Sequence, residues 1–197
     1  MPLLGFDEYV ALAEQAHGHI CAGQILGLRL ALHGLHLLEL DDPLGQHRKR
    51  LVTFVEIDRC ATDAVTVVTG CRMGKRALKF RDFGKVAATF CDLETGRAVR
   101  VVALESSKQR ARELYPEMEN KNRQQMRAYR EMPPEELFSH QWVRVRIGPE
   151  DLPGFKGPHV HCASCGEGIN FGRQVLRDGR ALCRACAGEA YYEAIPT

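Results

Sequence analysis

The sequence predicts an α+β protein: N-terminal helices packed on an antiparallel sheet, followed by a small cysteine-paired module. Three observations predict it. Apolar residues recur at helical spacing over Phe6–Ala16 and Ala22–Leu38. From residue 51 to 104 they change to short β-branched runs separated by turn residues. Beyond Gly148–Gly157, which holds Pro149, Pro153, Gly154 and Gly157, the chain changes character and four cysteines fall in two pairs. The expected division is therefore a domain over 1–148, a linker over 149–158 and a finger over 159–197.

Composition narrows the function classes. With 197 residues the chain is long enough to bury a core without covalent staples. The 45% apolar and 26% charged content is that of a soluble globular protein. A formal net charge of +2 gives no reason to expect nucleic acid. Lys121, Arg123, Arg127 and Arg130 are flanked by Glu117, Glu119 and Glu131, which argues against a stripe that tracks phosphates. No apolar run approaches the ~20 residues of a membrane span, and no start of the secretory type is visible. The eight cysteines include a metal-type pattern, so a reducing, cytoplasmic setting is expected.

In order, Phe6, Val10, Ala13 and Ala16 lie on one stripe of the first helix, with Asp7 and Glu8 at its positive end. The second helix carries Ile25, Leu28, Leu32 and Leu35, and Gly23 with Gly27 leaves room for a close neighbour. Arg29 is either a snorkelling side chain or the partner of a carboxylate near a site. Asp41–Gly45 is a turn, and the basic residues after it are a solvated loop. Leu51–Ile57 is a strand. Thr62 is a candidate cap for a helix over Asp63–Thr69, although its valines make a strand the competing reading. Leu78–Arg81, Val86–Cys91 and Arg97–Leu104 are strands, the last two joined at Asp92–Gly96. A mostly polar helical stretch follows from Glu105 to Arg130, interrupted at Pro116. Such a stretch is a solvated face or an arm that packs on a partner. Pro133–Glu136 opens a short helix, and Trp142–Ile147 alternates as a final strand.

Two stretches carry chemistry. His17-Gly18-His19-Ile20-Cys21 puts two imidazoles and a thiol within five residues, the donors a borderline-soft divalent ion prefers. On one continuous helix His17 and Cys21 share a face; with a break at Gly18, all three converge. A fourth position falls to Cys60 or Cys71, or to water or substrate. The competing reading is a core helix that happens to carry His and Cys. Thr69–Arg76 combines Cys71, two glycines and Lys75, either a working loop with a lowered thiol pKa or a basic turn with one buried cysteine. The second stretch is more specific. Cys162-Ala163-Ser164-Cys165 and Cys183-Arg184-Ala185-Cys186 are seventeen residues apart, within the range of a four-thiolate zinc site. Four cysteines close the coordination sphere, so this zinc is structural. An Asp178-Gly179 hairpin turn lies between the pairs. His159 and His161 are either alternative ligands or ordinary linker residues.

Several of these motifs together carry a family resemblance. His17–Gly23 with Gly27 and Arg29, Asp58–Ala64, Thr69–Lys75 and Asp82–Lys85, in that order, resemble the FmdE family of formylmethanofuran dehydrogenase proteins over residues 6 to 147. Ala22 stands where the family pattern has proline. The resemblance implies an α+β domain, often a homodimer, with a metal near the His-x-Cys motif. It also implies association with a molybdenum or tungsten formylmethanofuran dehydrogenase, whose other chains do the catalytic work. The expected N-terminal ligands are His17, His19, Cys21 and Cys60, for zinc or another transition metal. Cys71, Lys75 and Asp63 are the cleft candidates, with no catalytic role assigned. The C-terminal segment resembles the DksA/TraR type of zinc finger through Cys162–Gly166, Ile169, Arg173, Cys183 and Cys186. That implies a treble-clef or zinc-ribbon-like knuckle. Two other readings stay open: a finger that engages nucleic acid or RNA polymerase, and a thiol redox protein using Cys21, Cys60 and Cys71.

Overall fold

The computed structural model describes residues 2–195. The chain divides into two compact units, one ending at Arg146 and the other beginning at Ile147.

In the first unit, α1 (Phe6–His17) ends where the sequence places a break, at Gly18 in the left-handed region (φ 89). A side chain there is strained, and the Gly18 amide donates to the Glu14 carbonyl. After three residues α2 (Ala22–Leu37) starts, with Cys21 at its N-cap in extended conformation. α2 is the central helix of the core: Ile25, Leu28, Ala31 and Leu35 are fully buried. α3 (Cys60–Thr69) crosses it at Gly27. A Cβ on Gly27 would lie 2.5 Å from the Ala61 carbonyl oxygen and 2.9 Å from the Ala64 Cβ. Backbones this close fit only glycine, so the spacing of Gly23 and Gly27 correctly signals a close neighbour. This packing also decides the valine-rich segment in favour of a helix. It begins at Cys60, earlier than expected. Its N-cap is Arg59, while the Thr62 hydroxyl donates back to the Ile57 carbonyl.

The sheet contains β1 (Leu51–Val55), β2 (Leu78–Phe80), β3 (Ala87–Asp92), β4 (Ala98–Ala103) and β5 (Phe138–Trp142). The order is β2-β1-β3-β4-β5. The β1–β2 pair is parallel and the others are antiparallel. The sheet is thus mostly antiparallel, the one exception arising because α3 carries the chain across between β1 and β2. β5 lies earlier than the alternation of Trp142–Ile147 predicts. β4 begins at Ala98, which pairs through its carbonyl with the Val143 amide, so the ladder has no further partner for residues 144–147.

The polar stretch after β4 forms α4 (Ser106–Leu114) and α5 (Lys121–Glu131), separated around Pro116. It packs inward on its own domain: Ala128, Tyr129 and Met132 are buried. Arg29 neither snorkels nor meets a carboxylate. Its guanidinium donates to the carbonyls of Tyr129, Arg130 and Met132 at 2.7–2.8 Å. These are carbonyls at the end of α5 that lack helical partners. Burial lowers the Arg29 pKa. Arg29→Met is expected to cost about 2–3 kcal/mol, since it leaves acceptors unpaired; urea denaturation of the full chain measures this.

In the second unit, β6 (Val160–His161) pairs with β7 (Gly168–Ile169), and β8 (Val175–Arg177) with β9 (Arg180–Leu182). Asp178 and Gly179 both have positive φ, as the two-residue turn between β8 and β9 requires. Among the described residues no helix is long and apolar enough to cross a membrane.

Candidate metal centres

The C-terminal centre is built on two knuckles. One follows β6 and contains Cys162 and Cys165; the other follows β9 and contains Cys183 and Cys186. In the first, the Gly166 amide donates to the Cys162 carbonyl at 3.0 Å, and Gly166 itself takes a positive φ of 77. The Ala163 amide reaches the Ala181 carbonyl at 2.8 Å and joins the knuckles. All four sulfurs lie within 4.8 Å of one another. Cys165 and Cys183 Sγ are 3.9 Å apart. A tetrahedral zinc with Zn–S bonds of about 2.3 Å requires sulfurs roughly 3.8 Å apart, so the four fit the ion. Amides point at the sulfurs, from Ser164 and Cys183 to Cys162 and from Cys186 to Cys183. Backbone amides, that of Cys165 first and then those of Cys183 and Ser164, lower the Cys162 thiol to about 6. Thiolate is the form that binds metal. His159 and His161 lie outside this cluster and instead pack ring against ring, with centroids 5.0 Å apart.

The N-terminal donors come from three places. His17 ends α1, Cys21 caps α2, and Cys60 opens α3. The break at Gly18 separates the two halves of the motif, so His17 and Cys21 are not on one continuous helix. Cys60 lies beside Cys21, and its thiol is pushed up first by burial and then by that neighbour. Gly23 lies against the pair: a Cβ there would be 3.5 Å from Cys60 Cβ and 3.7 Å from Cys21 Sγ. His17 Nδ1 is 2.8 Å from Asp63 Oδ2, one turn beyond Cys60 on α3. The His17 and His19 rings are 4.8 Å apart. The donors thus form two pairs, Cys21 with Cys60 and His17 with Asp63. Among the described residues only the C-terminal cysteines bring three or more donor atoms within 4.8 Å of one another.

The other cleft candidates are placed differently. Cys71 is 2% exposed, near the Thr53 hydroxyl and the Leu51 carbonyl. Burial raises its pKa, which outweighs the lowering by hydrogen bonds from Thr53 and Thr69 and, least, by Lys75. Lys75 closes an exposed helical turn, Met73–Lys75. Cys91, which no motif singles out, is also buried, and its thiol is pushed up to about 12. Two contributors carry no sequence signal. Asn122 on α5 accepts the Ala22 amide at 3.0 Å, at the start of α2 beside Cys21. Gln24 is fully buried one turn further along and donates to the Ala13 carbonyl. Neither partner is local in sequence, so no spacing announces them.

Known proteins resemble both parts. Residues 16–139 match the family described as FmdE, molybdenum formylmethanofuran dehydrogenase operon. Residues 156–192 match the prokaryotic DksA/TraR C4-type zinc finger. A crystal structure of an FmdE-like protein of the tungsten formylmethanofuran dehydrogenase type, from Syntrophus aciditrophicus, superposes with a TM-score of 0.67 at 23% identity. The match covers 98% of this chain and all of that one, and it shows the fold. A probable S-adenosyl-L-methionine-binding protein of Archaeoglobus fulgidus is 29% identical over 91% of this chain. The chain spans about half that relative's length (52%).

Proposed function

This chain belongs to the FmdE family, and from that premise we propose that its N-terminal domain holds a transition metal, most simply zinc. Cys21 and Cys60 are the thiolate ligands, and His17 or His19 supplies imidazole. The observation that carries this reading is the meeting of the Cys21 and Cys60 thiols at the starts of two helices, beside an imidazole already fixed by a carboxylate. Asp63 bonds Nδ1 of His17 and leaves Nε2 for the ion, the usual way a carboxylate orients a metal-bound imidazole. In this reading, His17 or His19 turns toward the two thiols when the ion binds. When bound, the ion supplies Lewis acidity at any position the protein leaves open.

In this reading the protein is a cytoplasmic homodimer that works as an accessory to molybdenum or tungsten formylmethanofuran dehydrogenase subunits. The C-terminal finger has a structural part. The acidic residues that flank the basic residues of α5 speak against nucleic acid as the partner.

Elemental analysis of protein purified without added metal tests the site. The wild type is expected to hold two ions per chain, and Cys21→Ser and Cys60→Ser are each expected to hold one. Two ions in either variant would refute the assignment.

A further inference from the structure

A pocket of about 500 Å³ lies between α1, α3 and the segment around Leu44, and its walls include Leu12, Leu44, Asp63, Val67, Gly70 and Arg72. Its volume is that of a small-molecule site, and its walls are mostly apolar, as such sites are. Leu12 remains 39% exposed, so this apolar wall is open to a ligand.

The charges are placed at the two ends. Asp63 lies near the start of α3 and Arg72 just beyond its end. Seven residues of helix separate Asp63 from Gly70, a rise of about 10 Å. Thr66 and Val67 lie between them. Arg72 has a fixed backbone: its carbonyl accepts from the amides of Lys75, Ala77 and Leu78. Its side chain takes part in no ion pair among the described residues. At the other end, Asp63 gives one oxygen to His17 and has a second to offer. Gly70 shapes the wall. It takes a φ of +66, and a Cβ there would lie 2.6 Å from Leu44 Cδ2.

We propose that this pocket binds a small, elongated zwitterion: an acidic group on Arg72, an apolar middle along Leu12, Leu44 and Val67, and an ammonium group on Asp63. The acidic group is a carboxylate or a phosphate; both match a guanidinium. The inference goes beyond the metal reading, because the pocket and its charges are present whichever ion the thiols hold. Asp63 nevertheless links them: a ligand seated here has its ammonium end on the carboxylate that also holds His17.

Isothermal titration of the full-length protein, as purified, with 6-aminohexanoate, hexanoate, hexylamine and 6-aminohexyl phosphate tests the proposal. The two zwitterions are expected to bind at least about 10-fold more tightly than hexanoate or hexylamine, roughly 1.4 kcal/mol. Arg72→Gln is expected to reduce zwitterion affinity to that of hexylamine. Val67→Trp, which fills the middle of the pocket, is expected to abolish binding of all four. The ratio of the carboxylate to the phosphate affinity identifies the acidic group. The proposal is overturned if no zwitterion binds at millimolar concentration. It is equally overturned if hexanoate or hexylamine binds as well as the zwitterions, or if Arg72→Gln leaves their affinity unchanged. Metal content measured on the same samples reports on the N-terminal ion separately, so failure here is distinguishable from failure there.

Discussion

Chelating the ion from the C-terminal unit is expected to unfold that unit and leave the first one folded. The reason is the small amount of apolar surface buried there. Of the described residues from Ile147 onward, only Cys162, Ile169 and Ala187 are buried hydrophobics. The two hairpins have strands of two or three residues. Two-stranded hairpins of this length are not stable alone in water. Structural zinc in such modules supplies about 10 kcal/mol or more of apparent binding free energy, and that energy drives folding. Cys162→Ser is expected to act as chelation does, because Cys162 is both a ligand and the most buried of the four thiols. Amide resonances of residues 160–190 should collapse to random-coil positions, while those of the helices and sheet should stay dispersed. Resonances of the finger that stay dispersed without metal would contradict this.

Gly27→Val is expected to destabilise the first unit by about 3 kcal/mol, at the upper end of overpacking costs, and to abolish the proposed N-terminal metal site. The Cβ would meet the Ala61 backbone and the Ala64 side chain, not the end of a flexible chain. The only relief is for α3 to move away from α2. Cys21 is at the start of α2 and Cys60 at the start of α3, so that movement separates the two thiols. Gly23→Ala is the matched control. Its Cβ would have ordinary contacts of 3.5 and 3.7 Å, and alanine is the better helix former. It is expected to be neutral or slightly stabilising and to keep two ions per chain. Urea denaturation and metal content on both variants check the pair. A Gly27→Val protein of wild-type stability would show that the helix crossing is looser than described.

How much of this is legible in the sequence depends on the distance between interacting residues. The four-cysteine finger is fully legible because its signal is local: two short turns and a fixed spacing. The first two helices and most strands are legible from periodicity. The valine-rich α3 is ambiguous, since valine suits a strand equally well, and only its packing against Gly27 resolves it. β5 falls earlier than its pattern suggests, because alternation in Val143–Ile147 takes no account of where the neighbouring strand ends. Arg29 meets a different kind of partner from either one its sequence context offers. Its acceptors are backbone carbonyls about a hundred positions away, and carbonyls leave no mark on residue type. The same distance hides Asn122. At the N-terminal site, residue types alone mark His17, Cys21 and Cys60. The pairing of His17 with Asp63 is out of reach, because it depends on how α1 and α3 lie side by side.

Zinc K-edge X-ray absorption on the wild-type protein tests the proposed second ion most directly. With both sites filled, the average zinc is expected to have about three sulfur neighbours near 2.3 Å and at least one nitrogen or oxygen near 2.0–2.1 Å, with imidazole outer-shell features. One zinc per chain, surrounded by four sulfurs and no lighter ligand, would contradict it.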